Sequence, residues 1–159
     1  LWCADWGESK LRKTPGTTYQ AQRTDCKYAQ GCHFLEFEIA DRANSLMVVS
    51  VHAINFVPQA QMRAIAATLS QHQGGIVLAG DFNTWSKGRL RSLLQITEGL
   101  GLRPVTFPSK DRQHLKRFLL SPPLDHLFYR GLGHIPRSAR VIDTPSSSDH
   151  NPLFVALGL

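Results

Sequence analysis

Long apolar runs are missing from this 159-residue chain. None approaches the roughly 20 residues that a membrane-spanning helix needs. The opening residues, 1–10, lack the basic-then-apolar pattern of a secretory signal. They begin at Leu1 rather than Met, which reads as a processed or excised piece, so the compartment is not legible and the cytoplasm is only the default. Cysteine is scarce, at three residues and an odd count. Cys26 and Cys32 could close a short loop in an oxidising compartment and leave Cys3 over, or all three could stay reduced. His33 stands beside Cys32, but no second Cys/His pair has ligand spacing, which argues against zinc. Acidic residues are also few, 12 against 18 Lys+Arg, giving a net charge of +6 and a pI near 9.6. That balance favours a polyanionic partner such as nucleic acid or phospholipid headgroups; a merely solvated basic surface is the plainer alternative.

With 42% hydrophobic and 19% charged residues, the chain reads as globular and long enough to bury a core. There is no internal repeat, low-complexity tract or linker, so residues 1–159 are taken as a single domain. Residues 1–32 show no clear period and are expected to be irregular, with one short strand at most. Leu35, Phe37 and Ile39 alternate with Glu36 and Glu38, which predicts a strand with one wet face. Residues 41–44 predict a hairpin turn into residues 46–52, a nearly continuous apolar strand expected to be buried on both faces. Pro58 opens a predicted helix to about Gln73, with Met62, Ile65, Ala66 and Leu69 as its stripe and Gly74 as its stop. Residues 76–79 predict a short buried strand. Leu90, Leu93, Leu94 and Thr97 mark a second helix stopped by Gly99. Residues 102–107 suggest a strand and 108–123 a basic, proline-terminated loop. Residues 124–129, 139–142 and 153–157 complete the strands. Interspersed helices and strands favour an α/β sandwich over an all-β fold.

The chemistry lies where apolar runs stop on polar residues. Gly80-Asp81-Phe82-Asn83 closes one buried run at a carboxyl edge, where open α/β sheets place their sites. Asp81 and Asn83 together can orient water and contact a phosphoryl oxygen, or both can simply bond the backbone of a turn. His52 ends another run, with Asn55 following. An imidazole can donate to phosphate and an amide can hold a non-bridging oxygen. Asp125 opens an apolar strand, where a carboxylate is costly without a partner; His150 is a fitting one. Asp149 is a candidate metal ligand, because hard divalent cations prefer carboxylate oxygen. Trp85 is placed either to stack on a base or to pack under its own loop. Lys110, Arg112, Lys116 and Arg117 form a basic cluster that could follow a nucleic-acid backbone or stay solvated.

The ordered set His52-Ala53-Ile54-Asn55, Gly80-Asp81-Phe82-Asn83, Leu124-Asp125-His126 and Ser148-Asp149-His150-Asn151-Pro152 resembles the endonuclease/exonuclease/phosphatase superfamily. Residues 51–56, 79–83 with Trp85, and Phe128-Tyr129-Arg130-Gly131-Leu132 are closer still to an uncharacterised bacterial branch of it. The resemblance covers residues 34–159. It implies a DNase I-like mixed β-sheet sandwich flanked by helices and a Mg²⁺- or Mn²⁺-dependent phosphoesterase, with nucleic acid the first-choice substrate. It also implies roles: His150 as base or phosphate-polarising group, Asp125 orienting it, and Asp81 and Asn83 positioning water or the leaving oxygen. Asp149 would serve the metal, His52 and Asn55 would contact the scissile phosphate, and His126 receives no role. A catalytically inactive phosphate- or nucleic-acid-binding module and a lipid- or sugar-phosphate phosphatase are the alternatives. One departure stands out. The superfamily's first half supplies an asparagine and a metal-binding glutamate, and none of Glu8, Glu36, Glu38 or Glu98 follows a buried strand as that ligand should. The expectation is a partial domain with weak or no metal occupancy by itself.

Overall fold

The computed structural model describes residues 21–23, 31–39, 42–54, 58–143 and 148–158. Its framework is a six-stranded mixed sheet in the order β1-β2-β3-β4-β6-β5. The strands are β1 (Ala21–Arg23), β2 (Cys32–Phe37), β3 (Leu46–His52), β4 (Gly75–Asp81), β5 (Arg103–Pro104) and β6 (Asp125–Arg130). β2 and β3 form an antiparallel hairpin. β3 and β4 run parallel, joined by helix α1 (Pro58–Gln71). β6 then enters antiparallel to β4, after helix α2 (Lys87–Gly99), β5 and the one-turn helix α3 (Ser109–Arg112).

Helices α1 and α2 cover one face of the sheet. Met62, Ile65 and Leu69 of α1 and Leu93 of α2 bury against Phe34, Met47, Val49, Val51, Ile76, Leu78 and Phe128. Each side chain fully removed from water contributes about 1.5–3 kcal/mol. Ala66 of the expected stripe is only partly buried and Leu94 is exposed. β3 differs from expectation as well. Met47, Val49 and Val51 are buried, but Ser50 and His52 are exposed, so the strand is dry on one face only. Its continuous apolar run reflects a helix-covered face and a half-covered one.

Element ends also shift for definable reasons. α2 begins at the N-cap Ser86, whose Oγ accepts from the amide of Arg89 at 3.3 Å. Gly99 lies inside that helix; the left-handed residue that ends the turn is Gly101, at φ 68°. The strand expected over residues 102–107 shrinks to β5, whose Pro104 has no amide to extend a ladder. The remaining strands are two-residue ladders: β7 (Gly133–His134) with β10 (Leu157–Gly158), and β8 (Arg140–Val141) with β9 (Leu153–Phe154). A second core of Phe107, Leu115, Ala139 and Val141 packs against Leu153 and Val155. Cys3, Cys26 and Asn55 lie outside the described residues.

Candidate active site

Strand polarity assembles the site. β3 and β4 are parallel and finish on His52 and Asp81, which are register partners. β6 runs the other way and starts on Asp125, the register partner of Asp81. Residues directly opposite in a sheet share a face. His52, Asp81 and Asp125 therefore form one row across three strands at a single edge. His52 Nδ1 lies 3.8 Å from Asp81 Oδ2, its ring 64% exposed above a nearly buried carboxylate.

Gly80 makes this row possible. Its φ is +141°, and a Cβ there would sit 1.9 Å from the Val51 carbonyl oxygen. No other residue allows β4 to come that close to β3 just before Asp81.

His150 arrives from the C-terminal segment and places Nδ1 2.8 Å from Asp125 Oδ2 and 3.0 Å from Oδ1. Its side chain is 13% exposed and that of Asp125 only 4%. Burial pushes Asp125 from 3.8 up to about 6; the imidazole pulls it back, and the carboxylates of Asp81 and Asp149 add to the rise. A carboxylate on Nδ1 fixes the tautomer and leaves Nε2, which has no hydrogen-bond partner among the described residues, as the working nitrogen. A cavity of about 170 Å³ lined by Asp125, His126, Arg112 and Pro123 adjoins the pair.

The other expected residues are placed differently. Asn83 is buried, at φ 50°, and its Nδ2 donates to the Ala53 carbonyl at 2.6 Å. Its amide donates to Asp81 Oδ1 at 2.8 Å. Both side chains thus make the backbone contacts of a tight turn, and Asn83 ties the ends of β3 and β4 together. Asp149 is 75% exposed and accepts from Lys116 Nζ at 2.7 Å. That ammonium holds its carboxyl below the usual carboxylate range. Trp85 is 46% exposed, with the guanidinium of Arg89 4.4 Å above its ring centre.

His126 points away from this chemistry. Its Nε2 lies 3.0 Å from the Pro123 carbonyl and 2.7 Å from Thr84 Oγ1, and its ring packs with Phe82 and Phe128. Burial pulls it down from 6.5 to about 4, so it is a neutral structural histidine at pH 7. Glu36 is likewise occupied, accepting from Ser45 Oγ and lying 3.7 Å from His72 Nδ1.

One residue that supports the site, Gln61, was not singled out from sequence, and Lys116 was read only as part of a basic cluster, not as the partner of Asp149. Gln61 is 3% exposed; its Oε1 accepts from the Ile54 amide at 2.8 Å, and its Nε2 donates to the His52 carbonyl at 3.4 Å. A glutamine in the 61, 65, 69 helical series, otherwise Ile65 and Leu69, was the available signal. Lys116 carries no such signal, because its partner is 33 residues away.

Mg²⁺ or Mn²⁺ would need several oxygen ligands converging on one point. Among the described residues no three His, Cys, Asp or Glu side chains do so, and Asp149 is taken up by Lys116. The described residues alone do not fit such an ion.

Comparison with known proteins accords with this geometry. The chain is 39% identical over 131 residues to a UPF0294 protein of Vibrio vulnificus, covering 79% of this chain and 44% of that protein. It therefore spans less than half the length of this curated relative. Its fold is similar to the endonuclease domain of TRAS1, a telomere-specific non-LTR retrotransposon, with a TM-score of 0.64 and 14% identity over 89% of this chain and 68% of that one. It is also similar to the inositol polyphosphate 5-phosphatase domain of a synaptojanin, with a TM-score of 0.51 and 19% identity over 87% of this chain and 53% of that one. These two likenesses establish the DNase I-like fold, a mixed sheet with flanking helices. The Endonuclease/Exonuclease/phosphatase family model matches residues 12–150, and the chain belongs to that family.

Proposed function

We propose that this chain carries the His–Asp part of a phosphoester hydrolase that requires Mg²⁺ or Mn²⁺ and acts first on nucleic acid. The observation that carries the reading is the contact of His150 with buried Asp125 beside Asp81 and His52. With Nδ1 held by Asp125, His150 Nε2 takes a proton from attacking water or polarises a phosphoryl oxygen. His52, exposed and steadied by Asp81, donates to a non-bridging oxygen. Asn55 shares that contact by motif position. Asn83 acts by fixing Ala53, and through it the end of β3. Trp85 offers a ring face to a base, and the net charge of +6 favours a polyanion. The requirement for a divalent ion is carried by the family, with Asp149 the candidate ligand once released from Lys116.

The Lys116–Asp149 ion pair favours a second reading, a binding module that keeps the phosphate pocket without turnover. Hydrolysis of bis(p-nitrophenyl) phosphate, DNA and an inositol phosphate by the full-length protein, with and without Mn²⁺, separates the two readings. Turnover that is metal-dependent and lost in His150→Ala supports the enzyme. Equal background rates in wild type and variant eliminate it and leave the binding module. Preference for the inositol phosphate over DNA overturns the nucleic-acid assignment.

A further inference from the structure

The loop between α3 and β6 presents an apolar tip that nothing in the described fold covers. Phe118 is 54% exposed, Leu119 99% and Leu120 103%. The tip is nonetheless ordered by its own hydrogen bonds. The Ser121 amide donates to the Phe118 carbonyl at 2.8 Å, the Phe118 amide to Ser121 Oγ at 2.9 Å, and the Leu124 amide closes the base on the Lys116 carbonyl at 3.0 Å. Leu119 sits at φ 49°, a left-handed conformation that suits glycine or asparagine and strains leucine. Full exposure means that Leu119 gains no packing in return. A serine or glycine would serve the turn better, so the apolar side chains answer to something outside the fold.

Charge says what that is. Lys110, Arg112 and Arg117 stand exposed along the same segment. A narrow apolar point with cationic flanks is a two-signal arrangement for an interface that is oily inside and negative at its surface. Three side chains are far too few for a stable protein interface, which takes about 800 Å² from each partner. We propose that residues 117–120 are an insertion tip for an anionic phospholipid surface. The loop also forms a wall of the candidate site, because Lys116 bonds Asp149 next to His150 and Leu124 precedes Asp125. Docking would hold that site at headgroup level. The proposal does not depend on the site being active.

The test is sedimentation of the full-length protein with vesicles of phosphatidylcholine alone or mixed with phosphatidylglycerol. The expected result is binding to the mixed vesicles only. The Leu119→Ser/Leu120→Ser variant should bind at least about tenfold more weakly. Lys110→Gln/Arg112→Gln/Arg117→Gln should weaken binding similarly and remove its salt dependence. Circular-dichroism melting reports whether each variant is folded, and Leu119→Trp should shift its emission to the blue on vesicles. Absence of wild-type binding, or equal binding by the serine variant, overturns the proposal. Loss in the serine variant of a concentration-dependent dimer, without vesicle binding by wild type, would instead make the tip a contact between copies of this chain.

Discussion

At the scale of single residues, the two histidines around Asp125 have opposite environments and opposite expected behaviour. His150 is bound to a carboxylate, and His126 is enclosed by Phe82 and Phe128. Replacing His150 with alanine should lower phosphoester turnover about 10²–10⁴-fold. It also strips buried Asp125 of its partner and should cost about 1–3 kcal/mol of stability, which adding Asp125→Asn should partly restore. Urea midpoints of the two single variants and the double variant measure that recovery. His126 binds its proton less readily in the fold, where it lies at about 4, than in the unfolded chain at 6.5. Its contribution is therefore intact above pH 6.5 and is lost as pH falls through about 4. On acidification the wild type should lose on the order of 2–3 kcal/mol relative to His126→Phe, whose profile lacks this component. Parallel pH profiles for the two proteins would contradict the assignment.

At the scale of elements, the helix α1 and strand β4 hold the site through one side chain and one missing side chain. Gln61→Leu leaves the Ile54 amide without its acceptor and should cost about 1–3 kcal/mol while loosening the end of β3. Gly80→Ala forces a Cβ onto the Val51 carbonyl at a φ of +141° and should cost at least about 3 kcal/mol. Chemical denaturation checks both values. Much of this architecture was legible in sequence, and the reasons are specific. β3 falls on residues 46–52 as predicted, because its apolar run is bounded by a turn and by a histidine. α1 and α2 follow their apolar spacing, and Asp81 and Asp125 stand at strand ends because a buried run cannot absorb a charge. What was not legible depends on partners distant in sequence. The exposed face of β3, the inward turn of Asn83 and the capture of Asp149 by Lys116 each depend on an element that local pattern does not mention.

At the scale of the whole molecule, the positive charge makes a claim that salt can test. If nucleic acid is the partner, the affinity of the full-length protein for a single-stranded oligonucleotide should fall steeply with salt, with a log–log slope of about −0.7 per phosphate contacted. A flat response would remove polyanions from consideration. Neutralising Arg112, which lines the cavity beside Asp125, should reduce the slope by about one contact.

The reversed direction of β6 has a practical corollary. Because that strand enters the sheet at its acid, the chain before it must land on the rim of the site, whatever its length. Exchanging the exposed end of that stretch, residues 117–120, for the equivalent residues of a relative would reshape the mouth while leaving every rung of the ladder between β4 and β6 in place. The tip of the rim is in that sense a replaceable edge, whereas Asp111, which accepts from the Val141 amide, and Leu115, packed in the second core, are fixtures of the frame.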